Sequence, residues 1–282
     1  MNTKGRLFTF GCSMTKYHYP TWADILGREW EHFENWGDAG SGNHAIFNAI
    51  IECDARNKFS CTDSIIVMWT GLARLDVYQK SKWLHLVNLF LDDNPNVCSP
   101  DGYEIHSYAY FSAIQNFLQL KKCSYIALTW TEYFPESRTG EIYKDVLNNI
   151  SSVKFNFNHK KYPTYVCKDQ LMKYSIDLYD QIKGKDWPSL DKILGGEFDK
   201  CSFEIQLELK NFLNTVISDE RWKITDKVDG HPTPRQHLDM VDHYFTQIEI
   251  SDPTRLWIRD IEEKLLTGKE FHFHSSVPKE RL

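Results

Sequence analysis

The sequence predicts an α/β fold, a three-layer α/β/α sandwich around a central, mostly parallel sheet. Three observations predict it. Short apolar runs alternate with amphipathic stretches through residues 6–130. One run, SIIVMW at Ser64–Trp69, is apolar and β-branched, as a parallel strand covered on both faces must be. The early strands run into glycine-bearing turns, and a helix signal follows each turn.

The elements follow in order. Arg6–Phe10 is the first strand, and it stops at Gly11-Cys12-Ser13. Pro20 opens a helix carried by Trp22, Ala23, Ile25, Leu26 and Trp30. Phe33–Trp36 is a short second strand, GDAGSGN a glycine-rich turn, and His44–Cys53 the next helix. After the Ser64–Trp69 strand, a helix from about Ser107 to Leu120 leads into the strand Ser124–Trp130. From about Tyr133 to Lys200 the pattern weakens, and the stretch reads as an insertion over the sheet edge, either a lid or a solvated excursion. A helix from about Phe203 to Val216 returns to the core, and helices over Pro234–Phe245 and Pro253–Leu266 close it. A polar, loosely held tail follows at about 268–282, and residues 1–282 are expected to form a single domain.

Composition bounds the function. The chain has 282 residues, 41% of them hydrophobic and 14% aromatic, enough for a full core. A net charge of −6 argues against a nucleic-acid partner, because phosphate binding needs a basic surface. No apolar run approaches the roughly 20 residues that span a bilayer, so no membrane partner is expected. The amino terminus lacks the apolar stretch of a secretory signal, and the seven cysteines are odd in number with no C-x-x-C pair. The expected compartment is therefore the cytoplasm, with neither a disulfide framework nor a zinc site. The pair His272 and His274 has no third ligand nearby in sequence and reads as tail.

Ser13 is the residue to explain. A serine on a tight turn at the carboxyl end of a strand either caps the turn or stands as a nucleophile. A nucleophile needs a base, an orienting group and oxyanion donors. Among eleven histidines, His231 is best placed. It follows Asp229 by two residues, and Pro232 and Pro234 stiffen its approach to a helix. Sites in open α/β sheets form at the carboxyl edge of the strands. Cys12 reads as a buried small residue, and His237 as a helix-face residue. Tyr17, His18 and Tyr19 can line the mouth of such a site and Trp69 its floor, or they belong to the core.

Three segments in this order, FGCSMT, NWGDAGSGN and DGHPT, resemble the blocks of the SGNH hydrolases, the GDSL-type esterases and lipases. The resemblance spans residues 11–237 and implies the flavodoxin-like fold of that family. It implies Ser13 as nucleophile, His231 as general base and then acid, and Asp229 as the orienting group. The usual D-x-x-H spacing is D-x-H here, so Asp226 or a backbone carbonyl is the alternative to Asp229. Gly42, or alternatively Gly40, supplies a backbone N–H to the oxyanion together with that of Ser13. The third block departs from the family, because VMWTGLARLD lacks the usual asparagine donor. Thr70, Arg74 or Asn43 can replace it; Arg74 suits an acidic substrate or pairs with Asp76, and Asn43 donates or caps the next helix. The implied activity is hydrolysis of an O-acyl ester, with a small molecule or glycan as substrate and no metal or organic cofactor. A non-catalytic binding or structural module, or an acyltransferase, is the rival. The GSGN and WT…R features resemble a subgroup associated with phage and bacterial surface-polysaccharide genes.

Overall fold

The structure is a computed structural model. It describes residues 5–72, 74–79, 82–86, 100–131, 133, 136–155, 231–267, 271 and 273–276. The chain divides into two compact units. Residues 1–156, 234–262 and 271–282 form the first, and residues 157–233 and 263–270 the second. Of the second unit, residues 231–233 and 263–267 are described. The helix expected at Phe203–Val216 lies outside the described residues.

The first unit is built on β1 (Arg6–Gly11), β2 (His32–Asn35), β3 (Ser64–Trp69), β6 (Ser124–Thr129) and β7 (Ile150–Ser152). These form one sheet in the order β2-β1-β3-β6-β7, with all four pairings parallel. Gly11 lies opposite Met68, and Met68 opposite Leu128, so the carboxyl ends of the three central strands are level. A separate antiparallel hairpin is made of β4 (Leu75–Gln79) and β5 (Lys82–Leu86). Among the described residues, no helix is long and apolar enough to cross a membrane.

Alternation along the strands divides the core into two layers. Leu7, Ile66 and Met68 share one cluster with Trp22, Ile25 and Leu26 of α1 (Trp22–Gly27), Leu238 and Val241 of α6 (Pro234–Tyr244), and Ile258 of α7 (Asp252–Thr267). Phe8, Phe10, Ile65, Val67 and Trp69 face the other way. They meet Ile46 and Ile50 of α2 (Asn43–Asn57) and Phe111, Ile114 and Leu118 of α3 (Pro100–Lys121). The expected α/β architecture is therefore observed, with helices on both faces of a parallel sheet. Each fully buried Phe, Leu or Ile contributes about 1.5–3 kcal/mol relative to exposure. Trp69 is fully buried with its ring centroid 4.5 Å from that of Phe111. Of the two roles the sequence allows it, floor of a site or core, it takes the core.

Three stretches differ from the sequence expectation. The hairpin was not anticipated, because Asp76, Tyr78, Gln79 and Lys82 interrupt its apolar pattern. The start of the expected insertion, which the sequence suggests is part helical, holds α4 (Arg138–Ile142) and α5 (Lys144–Leu147), but also β7, an unexpected strand that adds the fifth member to the sheet. The carboxyl-terminal tail is pinned where it passes the sheet edge. Asn35 N–H donates to Ser276 O at 2.6 Å, and Ser276 Oγ donates to Phe33 O at 2.8 Å. An edge strand has unpaired backbone groups, and the tail satisfies two of them.

Candidate active site

Ser13 sits on the turn that ends β1. Cys12 O accepts the N–H groups of Thr15 at 2.9 Å and Lys16 at 3.1 Å, so Ser13 and Met14 form the crest of a tight turn. Gly11 is required beneath it. A Cβ there would overlap the Thr15 hydroxyl and stand 2.9 Å from Met68 O. The strand, the glycine and the turn thus form one local device that holds Ser13 at the carboxyl edge of the sheet. Cys12 and Ser13 are both buried. Tyr17, His18 and Tyr19 follow as a mutually packed aromatic group with centroid separations of 4.2–4.9 Å.

A buried polar network ties this turn to its surroundings. Thr15 O accepts from Thr21 Oγ1 at 2.5 Å and from Asn35 Nδ2 at 2.9 Å. Asn35 Oδ1 in turn accepts the Gly37 N–H at 3.0 Å. One side chain at the end of β2 therefore joins the Ser13 turn to the glycine-rich loop. Beneath them lies Asp24, which accepts from Thr21 N–H, Asn35 Nδ2 and the Ser275 hydroxyl, with Thr21 Oγ1 also 3.0 Å from Oδ2. Burial pushes the Asp24 carboxyl above its ordinary pKa, against those hydrogen bonds.

The glycine-rich loop runs along the end of β1. Trp36 and Asp38 donate their N–H groups to Thr9 O and Gly11 O, at 2.8 and 3.0 Å. Asp38 O accepts the Ser41 N–H at 3.2 Å, and Gly40 within that turn has φ +89°. Only glycine adopts that conformation readily. Among the described residues, no partner takes the Gly40 N–H.

Gly42 differs. Its N–H donates to Asp76 Oδ1 at 2.8 Å, and Ala45 N–H donates to Asp76 Oδ2 at 2.9 Å. Asp76, a fully buried carboxylate on β4, therefore caps α2 from outside the helix, where the helix dipole favours negative charge. This corrects the expectation for Gly42, whose donor is engaged by Asp76. Gly40, the alternative glycine, retains its N–H.

Asp76 also holds His85, which sequence reasoning did not single out. His85 Nδ1 lies 2.8 Å from Asp76 Oδ1, and Nε2 lies 3.2 Å from Asp38 Oδ2 and 3.5 Å from Ser41 Oγ. Burial would lower the His85 pKa, but hydrogen bonds to Asp38 and Asp76 outweigh it and hold the group at about 9. The ring is an imidazolium clamped between two carboxylates at neutral pH. Nε2 lies nearer Asp38 Oδ2 than Ser41 Oγ, so the ring is directed at the carboxylate rather than at the serine. The clamp fixes the hairpin to the glycine-rich loop.

The third-block candidates separate clearly. Asn43 donates Nδ2 to Thr70 O and to Ser107 Oγ, both at 3.1 Å, and Asn43 Oδ1 accepts Thr70 N–H at 3.0 Å. Both amide hydrogens are engaged, and Gly42 rather than Asn43 is the N-cap of α2. Asn43 is thus neither a cap nor a spare donor, a correction to both expectations. It joins α2, the end of β3 and α3. The Thr70 side chain is fully buried, and Oγ1 has no hydrogen-bond partner among the described residues. Arg74 donates to Ser41 O at 3.1 Å, and its Cζ lies 5.9 Å from the Trp130 ring centroid. It does not pair with Asp76, whose oxygens serve α2 and His85.

His231 stands three residues before Pro234, the first residue of α6, and belongs to the second unit. Asp226 and Asp229 lie outside the described residues. His237 is buried, with its ring centroid 5.1 Å from that of Phe155.

No protein-family model matches the chain, and no curated protein matches it. Among solved structures, the chain is similar to the crystal structure of a member of the lipolytic protein G-D-S-L family from Veillonella parvula DSM 2008. The identity is 13%, the match covers 53% of this chain and 77% of that one, and the TM-score is 0.29.

Proposed function

We propose that the protein is a serine ester hydrolase of the SGNH type that removes an O-acyl group, such as acetyl, from a carbohydrate or related ester. The observation that carries this reading is the Ser13 turn. A serine is held on the crest of a glycine-supported turn at the carboxyl end of β1, tied through Asn35 to a loop whose Gly40 N–H has no partner among the described residues. In the proposed reaction, Ser13 Oγ attacks the acyl carbon and passes its proton to His231. The N–H groups of Ser13 and Gly40 bind the oxyanion, with the Thr70 hydroxyl as a third donor. His231 returns the proton to the leaving alcohol. Water then attacks the acyl-enzyme and regenerates Ser13. Asp229 or Asp226 orients the imidazole. Each oxyanion donor is worth on the order of 10²–10³ in rate.

The rival reading is a non-catalytic module on the same fold. The engagement of Gly42 by Asp76 and of Asn43 by Thr70 and Ser107 favours it, since both are donors that the resemblance assigns to the chemistry. A fluorophosphonate probe decides between the two. Label on Ser13, located by mass spectrometry and lost in Ser13→Ala and His231→Ala, is the expected result. A folded wild-type protein that takes no label would sink the hydrolase reading.

A further inference from the structure

We propose that Arg74 is the receptor for an acidic group on the substrate, so that the preferred ester carries a carboxylate or a similar anion. This inference rests on the ester-hydrolase reading above and adds the substrate's charge to it.

Arg74 follows β3 at the carboxyl edge of the sheet and is partly buried. Of its five N–H donors, one is directed at Ser41 O. Its guanidinium is near the ring of Trp130, which follows β6 at the same edge. The nearby carboxylates are committed elsewhere. Asp76 is taken by Gly42, Ala45 and His85. Asp38 is taken by His85 at 3.2 Å and faces Lys16 at 3.9 Å. Among the described residues, no carboxylate pairs with Arg74. A partly buried guanidinium without an acid is incomplete, because its planar fork fits a carboxylate or phosphate through two parallel hydrogen bonds.

Position adds to chemistry. The loop 37–42 touches the Ser13 turn at one end, through Asp38 N–H on Gly11 O, and Arg74 at the other, through Ser41 O. A Cβ on Gly42 would stand 2.9 Å from Arg74 Cβ, so the loop and the arginine are in close contact. Charge adds a third reason. With His85 protonated, this rim holds Lys16, His85 and Arg74 against Asp38 and Asp76, a local positive surplus in a chain of net charge −6. Such a local field concentrates anions at the rim while the rest of the surface repels them.

The test has two arms. In the first, Arg74 is modified with phenylglyoxal in the presence and absence of succinate or inorganic phosphate, with the exposed Arg138 as reference, and the sites are read by mass spectrometry. Either anion is expected to slow modification of Arg74 roughly threefold or more and to leave Arg138 unchanged. No protection at Arg74 by either anion overturns the proposal. In the second arm, kcat/KM is compared for 4-nitrophenyl hemisuccinate and 4-nitrophenyl acetate. The acid ester is expected to be favoured by roughly tenfold, the worth of one charge-assisted hydrogen bond. That ratio falls towards unity in Arg74→Gln and is partly kept in Arg74→Lys. A wild-type protein that cleaves both esters without preference also overturns the proposal. A protein that cleaves neither, yet shows protection of Arg74, overturns the hydrolase reading and upholds the anion site.

Discussion

The carboxylate of Asp76 accepts the amide hydrogen of Gly42 at 2.8 Å, across 34 residues of sequence. The same carboxylate accepts from Ala45 and holds His85. One buried acid therefore caps α2, anchors the β4–β5 hairpin and removes Gly42 from the set of oxyanion donors. Asp76→Ala leaves the Gly42 and Ala45 N–H groups and the Nδ1 side of His85 without their carboxylate, while Nε2 keeps Asp38. It is expected to destabilise the protein by about 3 kcal/mol. A urea midpoint unchanged from wild type would show that the cap carries no stability.

The Gly40 and Gly42 roles can be told apart. Gly40→Ala strains a residue at φ +89° by about 1–2 kcal/mol and disturbs the proposed donor. Activity is expected to fall by more than that strain explains, on the order of 10² in kcat for an ester substrate. A loss of stability with kcat intact would return the donor role to another group.

Thr70 provides a near-isosteric test. Its buried hydroxyl has no hydrogen-bond partner among the described residues, so Thr70→Val should leave stability within about 1 kcal/mol of wild type or raise it. If the hydroxyl donates to the oxyanion, kcat drops by roughly tenfold or more while KM changes little. Equal kinetics in wild type and Thr70→Val would remove Thr70 from the mechanism.

Asn35 holds the Ser13 turn and the glycine-rich loop in register. Asn35→Ala takes from Thr15 O one of its two donors and from Gly37 N–H the acceptor it uses, in a buried setting, and is expected to cost about 1–3 kcal/mol. The residual folded enzyme should lose kcat as well, since the nucleophile turn and the oxyanion loop lose their side-chain link and keep the backbone bonds of Trp36 and Asp38 to β1. Thermal unfolding together with turnover on a reporter ester checks both halves.

The His85 clamp makes stability depend on pH. Its folded-state pKa of about 9 lies above the unfolded value of about 6.5. The contribution is complete below about pH 6.5, declines as pH rises, and is gone above about pH 9. The wild type should lose stability of order 1–3 kcal/mol across that window, and His85→Gln should lose much less. Parallel pH profiles for the two proteins would refute the clamp.

The α/β architecture was legible because it is written in local periodicity. SIIVMW is a two-face-covered strand, and the three central strands and the helices after β1, β2 and before β6 lie where the apolar pattern put them. The hairpin was not legible, because Val77, Tyr78, Gln79 and Lys82 are exposed and the charges of Asp76 and Lys82 break the apolar alternation. The role of residues 138–155 was missed for a related reason. A three-residue edge strand such as β7 has too few positions to show a period.

Ser13 on its turn was determined by the sequence alone. Gly11, Cys12 and Thr15 act within a span of five residues, and a contact that local leaves its mark in the order of residues. Tertiary structure decided which neighbouring groups can still act. Gly42 and Asn43 look like donors in sequence, but Asp76, Thr70 and Ser107 arrive from distant segments and occupy them. Arg74 looks like a partner for Asp76, but α2 and His85 reach that carboxylate instead. Hydrogen-bonding capacity is finite, so the availability of a donor depends on every chain segment folded against it. No local pattern can report that.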